Sequence, residues 1–456
     1  MLLVPFSRLV VKCAMWAVDR FYEVGCIGQP IPQGPVLVIA NHPNSLMDAL
    51  IVMKIAGRRV RPLAKAPLFE DALVGHMLKG LGALPVFRPQ DHPGETWKNE
   101  GTFKAAETAL LQGEAVLIFP EGLSHSEASL ARMKTGAARI AFATEEAAGW
   151  QLGLRVLPVG LTYHRKHAIR GRVAVAVGES FDVARWREAR GENEWDAVES
   201  LTDVMREALE KVTLNLPTQE DRALLEAAET LYAAEKGLTR PRAREKLAPR
   251  LPRLQRFAEA LAWLHIADPE LYEQLGAEVR RYREHLELLG VKEGEVPERF
   301  HLLRVVRYAA VQGLALVIGL PLAIAGTIIW YLPYKSPRLS LNLYRPEYEA
   351  VASLKLATAL LAFPTIYILY VAAAWWIGGV RALVAVAVVT PLLGIVALRW
   401  RDRWRAVRED VQVFWRSMRM RAVRQQLTTR RRALVVEFEA VYSRWQAELR
   451  ARQSQV

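Results

Sequence analysis

Short runs of aliphatic and β-branched residues alternate with amphipathic stretches across residues 33–185. The runs at 36–40, 60–63, 83–87, 115–119, 155–161 and 172–177 read as strands, and the stretches at 102–112 and 130–144 read as helices. Strands interleaved with helices predict an α/β domain, a mixed sheet flanked by helices, which we place at 25–194. Ahead of it, residues 1–24 put Arg8, Lys12 and Asp19 on a narrow stripe, while Leu9, Val10, Cys13, Met15, Trp16 and Phe21 widen an apolar face. That pattern predicts an amphipathic helix lying on a membrane surface or on the domain. A signal peptide fits less well, since basic residues interrupt the apolar stretch.

Residues 195–300 are charge-rich and helical, punctuated by Pro217, Pro241, Pro249, Pro252, Pro269 and Pro297. They read as a helical bundle or cover, in which His265, His285 and His301 stand singly. Beyond it, apolar stretches at 305–334, 356–377 and 382–398 are long enough to enter or cross a hydrocarbon core of about 30 Å. Gly313, Gly319, Pro321 and Gly326 break the first, so over 301–398 we expect a re-entrant or interfacial hairpin followed by two spans turning at Gly378-Gly379. The tail, 399–456, is a basic amphipathic helix in which arginines alternate with Trp400, Trp404, Phe414 and Trp415. This composition suits the headgroup boundary, and a solvated or partner-facing helix is the plainer alternative.

Composition sharpens this picture. The net charge of +13 accompanies 52% hydrophobic residues, a pairing that fits attraction to anionic lipid. No recognisable nucleic-acid-binding motif is present, so we expect no nucleic-acid partner. Cys13 and Cys26 are too few for a disulfide framework and lack metal-ligand spacing, which points to a reducing compartment and no metal site. The arginine-rich stretch after Arg399 assigns the tail to the cytosol. With the hairpin topology, the α/β domain faces the cytosol too, on an integral protein of the cell's inner membrane.

The candidate chemistry begins at Asn41-His42-Pro43-Asn44-Ser45-Leu46-Met47-Asp48, just past the 36–40 strand. Open α/β sheets place ligands beyond strand carboxyl ends, and a histidine oriented by a carboxylate is a general base. A histidine satisfied structurally at a strand end is the alternative.

Three further blocks follow in order: Gly82 to Arg88 (GALPVFR), Phe119 to Ser124 (FPEGLS) and Val156 to Gly160 (VLPVG). Together the four blocks resemble the glycerolipid acyltransferase family, the glycerol-3-phosphate and 1-acylglycerol-3-phosphate acyltransferases. The family signature usually has four residues between histidine and aspartate, whereas this chain has five. The five-residue form resembles a subgroup that includes fungal-type glycerol-3-phosphate and dihydroxyacetone-phosphate acyltransferases. Pro43 favours a turn at His42 that can absorb the extra residue.

The resemblance implies an α/β acyltransferase domain with His42 and Asp48 as its catalytic pair. It also implies that Arg88 binds the acceptor phosphate, while Glu121, Gly122 and Ser124 contribute to substrate binding. Lys134 and, more weakly, Lys65 would add positive potential, and Pro158 and Gly160 would shape the acyl-donor site. For each there is a plainer reading: a surface arginine, a simple turn or a solvated lysine. Ser124 and His125 do not form a serine-hydrolase motif, because Gly-x-Ser-x-Gly is missing.

The expected activity is transfer of an acyl chain from acyl-CoA or acyl-carrier protein to glycerol 3-phosphate or dihydroxyacetone phosphate, with no cofactor. Lysophosphatidate or another lysophospholipid is the alternative acceptor. A non-catalytic lipid-binding protein that keeps the fold is the alternative of another class. Membrane lipid is the expected partner, and oligomeric state stays open.

Overall fold

The structure is a computed structural model that describes residues 12–13, 15–70, 72–88, 96–238, 246–288, 302–419 and 421–454. It divides into two compact units. The first comprises residues 1–219, 246–258 and 346–353; the second comprises 220–245, 259–345 and 354–456.

The first unit is built on an eight-stranded mixed sheet. Its strands are β1 (Tyr22–Gly28), β2 (Val36–Ala40), β3 (Val60–Lys65), β4 (Leu84–Val86), β5 (Ala115–Ile118), β6 (Arg155–His164), β7 (Gly171–Val177) and β8 (Phe181–Asp182). The order is β1-β7-β6-β2-β5-β3-β4, with β8 added to β6. From β6 to β4 the strands run parallel, and β6 pairs β7 antiparallel. β2 lies at the centre between β5 and β6 and is buried along its whole length, which is why its sequence is apolar without alternation.

The helices of this unit are α1 (Leu46–Ala56), α2 (Ala72–Leu81), α3 (Asn99–Leu111), α4 (Gly136–Ala147), α5 (Arg187–Glu192) and α6 (Glu194–Glu210). α3, α4 and α6 lie side by side on β5, β2 and β6. The Asn193 side chain caps α6 by accepting from the backbone amides of Trp195 and Asp196. α6 buries Ala197, Val198, Leu201, Met205 and Leu209. The α/β unit therefore extends well past residue 194, where the charge-rich composition marks a boundary. Periodicity shows that α6 is amphipathic but not which surface it covers.

Two further elements depart from the sequence reading. Residues 15–21 are helical, but Tyr22–Gly28 is an edge strand rather than the end of that helix. β1 pairs β7 alone and leaves several residues half-exposed, so it lacks the continuous apolar run of an inner strand. Residues 1–11 of the expected interfacial helix lie outside the described residues. Residues 130–135 precede α4 without joining it.

The second unit is helical: α7 (Gln219–Glu235) enters it, and α8 (Leu247–Ala267) crosses into it from the first unit. It continues through α9 (Pro269–Leu288), α10 (Leu302–Ile329), α11 (Tyr331–Tyr344), α12 (Val351–Arg419) and α13 (Arg421–Gln453). The expected 195–300 bundle is thus divided between the two units. Its 220–238 and 259–288 parts pack with the tail, in a core that includes Leu231, Val279, Tyr282 and Leu434. Glu235 holds Arg431 and Arg432 at 2.8 and 3.0 Å. This part of the tail is buried against the bundle.

α10 and the apolar part of α12 are long and apolar enough to cross a membrane. α12 bends at Gly379, whose φ of 63° is left-handed. Trp330 ends α10 and donates to the Thr390 carbonyl, Tyr370 donates to the Ile329 carbonyl, and Trp400 donates to the Leu316 carbonyl, all at 2.8 Å. α10 therefore runs alongside the second half of α12 and turns back at Trp330, short of the Gly379 bend. At that bend Trp376 is 88% exposed.

Candidate active site

β2 delivers the first block to the carboxyl edge of the sheet. Asn41 ties this end to β6: its Nδ2 donates to the Leu161 carbonyl at 3.0 Å, and the Leu161 amide donates to its Oδ1 at 2.7 Å. The chain then turns through Pro43 and Asn44 before α1 begins at Leu46. Ser45 takes a left-handed φ of 49°, an uncommon conformation for a side chain other than glycine. That turn absorbs the fifth residue. His42 Nδ1 lies 2.9 Å from Asp48 Oδ2, so the longer spacing still closes the pair.

The environment of this pair is built from the first and third blocks and from the end of β6. Asp48 is fully buried, and Oδ2 also accepts from the Asn44 backbone amide at 2.7 Å. The Tyr163 hydroxyl donates to Oδ1 at 2.6 Å. The His42 ring stacks on Phe119, with centroids 3.8 Å apart and planes within 13°. With Nδ1 committed to Asp48, Nε2 is the nitrogen left for chemistry, and it has no partner among the described residues.

The third block holds the first in place. Glu121 is buried, and its Oε1 accepts from the His42 amide at 3.2 Å. Its Oε2 accepts from the Ala131 amide at 2.7 Å and is bonded to His125 Nε2. This bond is the main reason the His125 pKa is raised. The Ser124 hydroxyl donates to the His42 carbonyl at 2.7 Å and accepts from the Ser45 amide at 3.1 Å. Glu121 and Ser124 thus hold the histidine turn through its backbone.

Arg88 comes from the segment after β4. The Asn99 side chain pairs with both backbone groups of Phe87, at 2.9 and 2.7 Å, and so fixes the chain just before it. Arg88 Nη1 donates to the Gly122 carbonyl at 3.0 Å. Gly122 has φ 73°, and a Cβ there would lie 2.8 Å from Lys134 Nζ. Arg88 and Lys134 therefore meet around one residue of the third block. Lys65 ends β3 in register with Val86 of β4, on the same sheet edge. The structure brings His42, Asp48, Arg88, Glu121, Gly122, Ser124 and Lys134 together at this edge, and Lys65 shares the edge by strand register alone.

Gly160 has a different reason for being glycine than the expected one. A Cβ there would lie 1.9 Å from the Val212 carbonyl oxygen, so the residue admits the chain that follows α6. Close packing by itself requires glycine at this position.

Several residues at this edge were not visible in the sequence. Asn41, Asn44 and Tyr163 act across the sheet, as does Tyr22, whose hydroxyl accepts from Asn44 Nδ2 at 2.8 Å. Lys166 donates to the Pro43 carbonyl at 2.8 Å and to the Ser126 hydroxyl. Its ammonium lies 4.5 Å from the Tyr348 ring centroid, and Ser126 donates to Glu349 at 2.7 Å. The available signal was the apolar run that continues past the fourth block and carries β6 to His164.

Residues 23–162 match the family model described as Acyltransferase. The chain is 22% identical to an uncharacterized acyltransferase of Schizosaccharomyces pombe over 65% of its own length and 56% of that protein. It is 31% identical to glycerol-3-phosphate O-acyltransferase 2 of Saccharomyces cerevisiae over 29% of this chain and 18% of the yeast protein. These matches thus span little more than half of the first relative and under a fifth of the second. Among solved structures, the 1-acyl-sn-glycerophosphate acyltransferase PlsC of Thermotoga maritima is 21% identical, with a TM-score of 0.33 over 45% of this chain and 78% of that one.

Proposed function

We propose that this protein, whose residues 23–162 match the acyltransferase family model, transfers an acyl chain from a thioester to the hydroxyl of glycerol 3-phosphate at a membrane surface. The observation that carries the reading is the His42–Asp48 contact on a sheet edge shared with Arg88 and Lys134. A carboxylate on Nδ1 fixes the tautomer in which Nε2 accepts a proton. His42 Nε2 takes the acceptor's hydroxyl proton as the oxygen attacks the thioester carbonyl. The C–O bond forms, the C–S bond breaks, and the departing thiolate takes the proton back. Such acid/base help contributes about 10²–10⁴ in rate. Arg88, with its planar fork of donors, is the group for the acceptor's phosphate. Lys134 and Lys65 add positive potential, while Glu121, Gly122 and Ser124 shape the acceptor site by holding its backbone.

Membrane attachment is part of the same reading. The 346–353 linker lies between the two apolar helices yet belongs to the acyltransferase unit, where Tyr348 and Glu349 contact Lys166 and Ser126. In this reading α10 with α11 forms one hairpin and the two halves of α12 form another, each returning the chain to the side of the bilayer from which it entered. That side is the cytosolic one, where acyl-CoA or acyl-carrier protein supplies the chain. A cysteine placed at Glu349, in a background without Cys13 and Cys26, should react with an impermeant maleimide from the same side as one at Glu100. Labelling from opposite sides would exclude this topology.

The activity is tested with the full chain in lipid vesicles, acyl-CoA and a panel of acceptors, reading release of free thiol. We expect release that depends on glycerol 3-phosphate and disappears in His42→Ala. Strong preference for lysophosphatidate would replace the acceptor assignment. No release with any of glycerol 3-phosphate, dihydroxyacetone phosphate or lysophosphatidate would favour a lipid-binding protein that keeps the fold.

A further inference from the structure

The carboxylate of Asp48 is held from three directions. On Oδ2 it meets His42 Nδ1 at 2.9 Å and the Asn44 amide at 2.7 Å, both from its own turn. On Oδ1 it meets the Tyr163 hydroxyl at 2.6 Å, brought from the far end of β6. The tyrosine is buried, and its ring lies edge-on to that of Tyr22, with centroids 5.5 Å apart. Tyr22 in turn accepts from Asn44 Nδ2 and donates to the Lys166 carbonyl. The phenol therefore sits in a fixed frame made by β1, β6 and the histidine turn.

Resting on the acyl-transfer reading of His42, we propose that Tyr163 is a positioning residue for the reaction, setting the orientation and charge of Asp48 and, through it, the basicity of His42. The tyrosine ring touches neither substrate nor imidazole in this role. Burial is the largest cause, and the neighbouring Asp48 charge the next, of a strong upward push on the Tyr163 pKa, so its hydroxyl keeps its proton and donates.

A carboxylate with a donor on each oxygen spreads its charge over both. Removing the Oδ1 donor leaves that oxygen desolvated and concentrates charge on Oδ2, which faces His42. The protonated imidazole is then held more tightly, and the carboxylate plane loses one of its three fixed contacts. Both effects reduce catalysis, but only the first moves its pH dependence.

The test uses the full chain in vesicles with acyl-CoA and the acceptor that wild type prefers. Tyr163→Phe should lower kcat roughly 10- to 100-fold, the range for a hydrogen bond to a charged group, with acceptor KM little changed. The acid limb of its kcat/KM profile should move to higher pH. In an Asp48→Asn background the same substitution should add little, because the two act through one contact. Should Tyr163→Phe fail to fold, 3,5-difluorotyrosine at position 163 keeps the hydroxyl as a stronger donor, and the acid limb should then move to lower pH.

A folded Tyr163→Phe with wild-type kcat, one with an unmoved acid limb, or one with an undiminished effect on Asp48→Asn overturns the proposal, as does an unmoved limb in the difluorotyrosine protein. If His42→Ala keeps full activity, the acyl-transfer reading fails and this inference fails with it. If His42→Ala is inactive while Tyr163→Phe leaves the profile unchanged, only the role of Tyr163 is lost.

Discussion

His42 Nδ1 and Asp48 Oδ2 lie 2.9 Å apart across a turn with five residues between them, with the carboxylate fully buried and the imidazole 19% exposed. Burial on one side and access on the other separate the two tasks of the pair. Asp48 works only through protein contacts, while Nε2 of His42 is the end that an acceptor can reach. His42→Ala should therefore lower kcat by about 10²–10⁴, measured as acceptor-dependent thiol release. Asp48→Asn keeps the size of the side chain but loses its charge, and should give a smaller loss than His42→Ala. Equal activity of wild type and His42→Ala would remove His42 from the mechanism.

Arg88 donates to the Gly122 carbonyl, which ties the guanidinium to the third block. If it binds phosphate, Arg88→Ala should raise the KM for glycerol 3-phosphate about 10- to 100-fold, the loss expected for a charge-assisted pair. Arg88→Lys should recover only part, since an ammonium cannot form the same fork. Glycerol, which lacks the phosphate, should be used equally poorly by all three proteins. A KM that does not move in Arg88→Ala would send the phosphate elsewhere.

Asn41 forms two reciprocal hydrogen bonds with Leu161 at the end of β2. Asn41→Ala leaves both Leu161 groups unpaired in a mostly buried place, a cost of about 1–3 kcal/mol. We expect a lower first thermal unfolding transition together with reduced activity, because the same bonds place His42. Calorimetry on the protein in detergent checks the first, and an unchanged transition would contradict it.

His164, the last residue of β6, has its pKa lowered from 6.5 to about 4, chiefly by burial and then by Arg172, Arg250 and Arg165. The unfolded chain binds this proton at a higher pH than the folded one. The neutral histidine thus favours the fold above pH 6.5, and that advantage is lost as pH falls from 6.5 towards 4. Partial exposure limits the effect to about 1–2 kcal/mol. His164→Gln should flatten the fall of the first thermal transition between these pH values. An identical slope in both proteins would show that His164 does not titrate this way.

Much of the site could be read from the chain because its chemistry is carried by short contiguous blocks. His42 and Asp48 share one turn, Glu121 and Ser124 share another, and each block follows an apolar run that reads as a strand. The edge strand β1 was not legible, since Tyr22–Gly28 carries two glycines and pairs on one side only. α6 was legible as a helix but not as part of the α/β unit. Tyr163 was hidden for another reason: its partner lies 115 positions away, and nothing in local spacing records that distance.

From sequence alone, then, come the alternation that makes the sheet, the apolar helices that follow it, and the residues able to move a proton or hold a phosphate. These are properties of local pattern and side-chain chemistry. Only the tertiary structure decided that a left-handed Ser45 closes the five-residue turn and that Glu121 and Ser124 hold it through its backbone. It also decided that Gly160 admits the chain after α6, and that Tyr163 meets Asp48. Each depends on strands distant in sequence ending at one sheet edge, and parallel pairing creates that proximity.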